Sequence, residues 1–165
     1  MSLALINPLP KLFAIAALSW ATAFGPPRIS VKEVTPADKV PAGAVLLVEG
    51  HHHQDASALA ITGRAEGMQN GRRVTMPLVL VDVGNGRFSV ARQWSAGTPW
   101  VLVLAAGDGN PDAHGVAEAL VKIDATGKIV GIDYPAPGWI AATSKARVTS
   151  AADVAAVLAT LASRR

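Results

Sequence analysis

The chain contains no cysteine. That absence removes disulfides, thiolate nucleophiles, iron–sulfur ligation and lipoprotein acylation together. Charge is scarce too: 16% of residues are charged, and the formal net charge is +3. The basic residues are spread out, with no cluster denser than Arg72-Arg73 or Arg164-Arg165, so the electrostatic footprint of a nucleic-acid binder is missing. Aromatic residues are 5% of a chain that is 50% hydrophobic, which leaves Ala and Val to do most of the core filling. There is no G-x-S-x-G elbow, and Gly84-Asn85-Gly86 lacks the third glycine and following helix of a dinucleotide loop; phosphate cradling is therefore set aside. Neither an internal repeat nor a low-complexity tract is present.

What is present is one domain's worth of sequence, 165 residues, enough to bury a core without crosslinks. Lys11 precedes a short apolar run over residues 12 to 20, followed by Ala21-Thr22-Ala23. A charged start, an apolar centre and a small-residue site predict a signal peptide over residues 1 to 23, with the mature chain starting at Phe24 in a periplasm or outside the cell. The competing reading is an uncleaved anchor, but the run is shorter than the roughly 20 residues a spanning helix needs.

Residues 24 to 43 hold four prolines and alternate polar with apolar, an extended lead-in with one edge strand near residues 29 to 34. A β-sandwich domain is expected over residues 44 to 134. Residues 44 to 49 (AVLLVE) and 58 to 64 form apolar runs, and Asn70-Gly71 and Asn85-Gly86 are hairpin signals. Residues 72 to 83 alternate with Val74, Met76, Leu78 and Leu80 on one face, and Pro77 marks an edge or a bulge. Residues 86 to 94 and 100 to 105 follow as strands, with three consecutive strands held in register by the two Asn-Gly turns. Residues 116 to 123 and 128 to 134 form a hairpin across Asp124-Ala125-Thr126-Gly127. Residues 135 to 165 are expected to be a connection anchored by Trp139 and a helix capped by Ser150, with Val154, Val157, Leu158 and Leu161 at helical spacing. The expected fold is all-β: an antiparallel β-sandwich of about seven strands with a C-terminal α-helix.

The segment Gly86-Arg87-Phe88-Ser89-Val90, followed by Gly97 and Trp100-Val101-Leu102-Val103-Leu104, resembles small extracytoplasmic immunoglobulin-like and transthyretin-like domains. The resemblance covers residues 44 to 106. It implies that the first motif opens a strand after a tight turn and that the second forms the strand paired with it. Such domains include carrier, adhesive, accessory and copper-associated members, so fold is implied and function left open.

His51-His52-His53 is the one concentration of metal-capable side chains. On an extended backbone His51 and His53 point the same way, and Asp55 or His114 from a neighbouring loop would supply a third ligand for copper or zinc. The spacing matches neither H-E-x-x-H nor a closed four-ligand framework, and a polar loop or strand end accounts for the same residues. Asp108-Gly109-Asn110-Pro111-Asp112 opens like a calcium loop but has Ala113 and Ala119 where Gly and Glu are required. Glu49, Asp55, Glu66 and Asp82 supply carboxylates for an acid and base pair if strands bring two together. Arg92, sharing a face with Phe88, Val90 and Trp94, is either an anion-binding group or a rim arginine whose stem covers Trp94. Trp94, Trp100 and Trp139 make a ligand platform or core packing. The expected function is that of an exported, non-catalytic domain with a binding or accessory role toward an unidentified protein or small ligand. The alternatives are periplasmic copper or zinc handling through residues 51 to 53, and a hydrolase using paired carboxylates.

Overall fold

The computed structural model of the protein describes residues 27–51, 59–107, 116–135 and 149–163. Among these residues, nine strands and one helix follow each other: β1 Arg28–Glu33, β2 Ala44–His51, β3 Ala60–Gln69, β4 Arg72–Pro77, β5 Val81–Gly84, β6 Arg87–Ala91, β7 Trp100–Gly107, β8 Ala117–Ile123, β9 Ile129–Asp133 and α1 Ala151–Ala162. The strands form two antiparallel sheets. Sheet A has the order β1-β2-β6-β5 and sheet B the order β4-β3-β7-β8-β9. An antiparallel β-sandwich with a C-terminal helix is therefore the fold.

Period-2 alternation builds the main core between the sheets. Ile29, Val31, Leu46, Val48 and Val90 from sheet A meet Ile61, Ala65, Trp100, Leu102, Leu104, Val121 and Ile123 from sheet B. Strand β7 is apolar on both faces because its outward residues are covered as well. Val101, Val103 and Leu120 pack under Val154, Leu158 and Leu161 of α1, so the described residues form three layers: sheet A, sheet B, helix.

Both Asn-Gly signals make hairpins. Asn70 and Gly71 have φ of 51° and 73°, and Asn85 and Gly86 have φ of 57° and 68°, the paired positive values of a type I′ turn. The β8–β9 hairpin forms across residues 124 to 127, where Asp124 Oδ1 accepts from Thr126 N–H at 2.9 Å and Lys128 N–H at 3.0 Å. Helix α1 begins at Ser150, whose hydroxyl accepts from Asp153 N–H while the Asp153 carboxylate accepts from Ser150 N–H, a full capping box.

Three expectations are corrected. Residues 72 to 83 are not one strand: β4 ends at Pro77 on the edge of sheet B, and residues 78 to 80 carry the chain to sheet A, where β5 begins. Leu78 turns into the core, and its N–H donates to Gly63 carbonyl at 2.9 Å. With the lead-in strand β1, this break raises the count from seven to nine. The two Asn-Gly turns therefore serve one sheet each, β3–β4 in B and β5–β6 in A, rather than setting three consecutive strands in one sheet. The strand pairing implied by the resemblance also fails: β6 pairs with β2 and β5, whereas β7 pairs with β3 and β8. Residues 92 to 99, with Trp94 buried among them, lead from one sheet to the other.

Candidate functional site

Strand β2 places Leu46 and Val48 in the core, so Leu47, Glu49 and His51 lie on the other face of sheet A; Leu47 and its neighbour Ser89 are buried there, while Glu49 is half-buried and His51 exposed. His51 ends the strand and is exposed; its Nε2 stands 3.9 Å from Glu49 Oε1. The ladder puts Ser30 and Arg87 level with Glu49 on either side, and Arg28 level with His51. An outward polar group of Arg28, Ser30, Glu49, His51 and Arg87 results. Lys32, further along β1, is held 2.6 Å from Asp38. Hydrogen bonds from Lys32 and from the backbone and side chain of Thr35 keep the Asp38 carboxyl well below the usual carboxylate range. Among the described residues, Arg28 and Arg87 make no such ion pair, so two guanidinium groups and an imidazole share this face with the Glu49 carboxylate.

A second polar cluster sits where α1 meets sheet B. Glu66 is buried, and its carboxylate accepts from Arg64 Nε at 2.9 Å and Arg73 Nε at 2.9 Å, with a further contact from Arg73 Nη2. Both arginines reach on to the helix start: Arg73 Nη1 donates to Ala151 carbonyl at 2.8 Å, and Arg64 Nη2 to Thr149 carbonyl at 3.4 Å. Burial raises the Glu66 carboxyl, but the two arginines outweigh it and bring its pKa below the ordinary 4.5. Glu118, also buried, accepts from Thr149 N–H at 2.6 Å and Thr149 Oγ1 at 2.5 Å. Both buried carboxylates thus attach the segment that starts the helix.

Among the described residues, the fold does not bring the candidate acids Glu49, Glu66 and Asp82 together; Asp55 lies outside the described residues. Glu49 faces out of sheet A and Glu66 out of sheet B, on opposite sides of the molecule, and Asp82 is engaged in its turn, accepting from Gly84 N–H at 2.7 Å. Trp94 and Trp100 are core residues, and Trp100 donates its indole N–H to Ser95 carbonyl at 2.9 Å; the platform reading is overturned for these two. Arg92 lies beyond the end of β6, with its guanidinium against the Gly127 turn.

Of the expected metal ligands, His51 is placed as above, while His53, Asp55 and His114 lie outside the described residues, as do the signal segment, residues 108 to 112 and Trp139. Among the described residues, no group of three or more His, Asp or Glu side chains is arranged to hold a metal ion. Sequence reasoning missed Glu49 as the partner of His51, although the same two-residue spacing that aligns His51 with His53 also aligns Glu49 with His51. No helix of the described residues is long and apolar enough to cross a membrane. No family model, curated protein or solved structure matches the chain.

Proposed function

We propose that the chain is an exported, non-catalytic domain that binds an acidic partner through the outer face of sheet A. One observation carries this reading: at the end of sheet A where Arg28 and His51 are exposed, Arg87 and Glu49 share the same outward face, beyond the stretch where Leu47 and Ser89 are buried. Guanidinium groups with no ion pair among the described residues suit carboxylate recognition, in which the planar fork makes two parallel hydrogen bonds. The attachment of both buried glutamates to the helix start favours a structural use of the interior over an acid–base one. Photo-crosslinking in the exporting cell is the test. A photoreactive residue at Ser30 is expected to form a discrete adduct, one at exposed Ala155 none, and reversing both arginines (Arg28→Glu with Arg87→Glu) removes the Ser30 adduct. The crosslinked chain should begin at Phe24. Equal labelling from both positions, or an adduct indifferent to charge reversal, would exclude this face.

A second reading, copper or zinc handling, draws on the 3.9 Å between His51 Nε2 and Glu49 Oε1. Two ligands on a tetrahedral zinc lie about 3.4 Å apart given metal–ligand bonds near 2.1 Å, so a small rotamer adjustment makes the pair chelating. The sequence adds His53, and Asp55 or His114, as candidates to complete the shell. Under this reading, Zn(II) or Cu(II) raises the melting temperature of the wild type by mass action on the folded state. The increase disappears in Glu49→Gln and in His51→Ala with His53→Ala. An unchanged melting temperature in the wild type sinks it.

A further inference from the structure

The chain has four asparagines, and the residue after each divides them. Asn7 and Asn110 precede proline, whose ring nitrogen carries no hydrogen. Asn70 and Asn85 precede glycine, and each takes the first central position of a type I′ turn, with φ of 51° and 57°. An asparagine side chain in front of a free N–H has a reaction of its own. The nitrogen of the next residue attacks the amide carbon Cγ, and a C–N bond forms. The bond from Cγ to the side-chain nitrogen breaks, and ammonia leaves with the proton of the attacking N–H. Water then opens the cyclic imide at either carbonyl, giving aspartate or, with the backbone rerouted through Cβ, isoaspartate.

Ring closure sets a conformational condition. Cβ and the attacking nitrogen must be nearly eclipsed about the Cα–C bond, which for an L-residue means ψ of about −120°, the value at the first central position of a type II′ turn. A type I′ turn holds ψ there at about +30°, with the two groups on opposite sides. A flip of the single peptide between Asn and Gly converts I′ into II′ and leaves the strands paired. Glycine at the second position accepts the change of φ from positive to negative at no steric cost. The reactive conformer is therefore one peptide flip away in each hairpin.

The surroundings separate the two turns. At residues 85 and 86 both flanks are held: Gly84 N–H donates to Asp82 Oδ1 at 2.7 Å, Gly86 carbonyl accepts from Gly50 N–H at 3.2 Å, and Gly86 is half-buried. At residues 70 and 71 the turn stands free. Gln69 to Arg72 are all exposed, and beyond its chain neighbours no atom lies within 4 Å of where a Gly71 Cβ would be. No backbone hydrogen bond joins Asn70 or Gly71 to the rest of the described residues. We propose that Asn70 is a site of self-modification, converting to aspartate and isoaspartate ahead of Asn85. The product alters more than charge. Isoaspartate adds a methylene to a two-residue turn, so Gln69 no longer pairs with Arg72. Arg73, next along β4, holds Glu66 and the Ala151 carbonyl, and the shift thereby reaches the attachment of α1.

Ageing the purified chain in mildly alkaline buffer, followed by peptide mapping that separates aspartate from isoaspartate, tests this. In urea neither turn exists, and Asn70 and Asn85 are expected to convert at similar rates because each precedes glycine. In the native chain Asn70 converts about fivefold faster than Asn85, the scale of the one backbone hydrogen bond that the second turn must release. Equal native rates overturn the proposal. So does a lead for Asn85, or a native Asn70 that stays intact while the unfolded chain converts. Asn70→Asp places the charge without the extra methylene and keeps the wild-type melting temperature, since aspartate suits the same turn position. The purified isoaspartyl form melts lower; equal melting of the two overturns the consequence for β4.

Discussion

Truncating Trp100 to alanine is expected to destabilise the protein by about 3–5 kcal/mol, the usual cost of removing a large buried aromatic side chain. Trp100 is 1% exposed and opens β7 between Gly67 of β3 and Ile123 of β8. Its ring lies over the Gly67 backbone: a Cβ at Gly67 would stand 2.6 Å from the ring atoms Cδ2 and Cε3. Gly67→Ala in the wild type therefore costs about 1–3 kcal/mol through overpacking. In the Trp100→Ala background the same change is expected to be neutral or stabilising. The clash has gone there, and alanine is better tolerated than glycine within a strand. Urea denaturation of the four proteins gives the cycle directly. Additive costs would mean that Gly67 is needed for some reason other than the seat of Trp100.

That pair also marks what a linear reading reaches. Trp100 stands at the head of an apolar run and reads as a strand residue, but the need for glycine at position 67 exists only because β3 and β7 are neighbours, 33 positions apart in the chain. Signals confined to a few residues were legible. Both Asn-Gly turns, the Asp124 hairpin and the Ser150–Asp153 capping box form because their chemistry is local: a positive φ, or a side chain reaching the backbone two to four residues on. The sheet to which a strand belongs was not legible, because period 2 reports which face is buried and is blind to which strand lies alongside. Residues 72 to 83 keep their alternation through Leu78 and Leu80 while the backbone changes sheets, with Pro77 the one visible sign. The polar face at Glu49 and His51 was half legible for the same reason. Their spacing along β2 is local, whereas the levels of Arg28 and Arg87 come from the ladders of β1 and β6.

Glu66 is the position where charge and helix attachment meet, and its loss should weaken both. Glu66→Ala is expected to cost about 2–3 kcal/mol. Breaking a fully buried ion pair costs more, but Arg64 and Arg73 are each about one-third exposed and recover hydration when the carboxylate is gone. Because both arginines also hold carbonyls at the helix start, amide exchange should accelerate most in α1 and least in β7. The pH dependence carries the sign. The folded pKa of Glu66 lies below its ordinary 4.5, so the unfolded chain takes up the proton first as acid is added. The stabilisation is fully present above that value and is lost as pH falls through it toward the folded pKa. Wild-type melting temperature should therefore drop more steeply than that of Glu66→Gln as the pH falls below the ordinary 4.5. Parallel curves for the two proteins would show that the carboxylate is not ionised against its arginines. The network would then hold the helix through hydrogen bonds without charge.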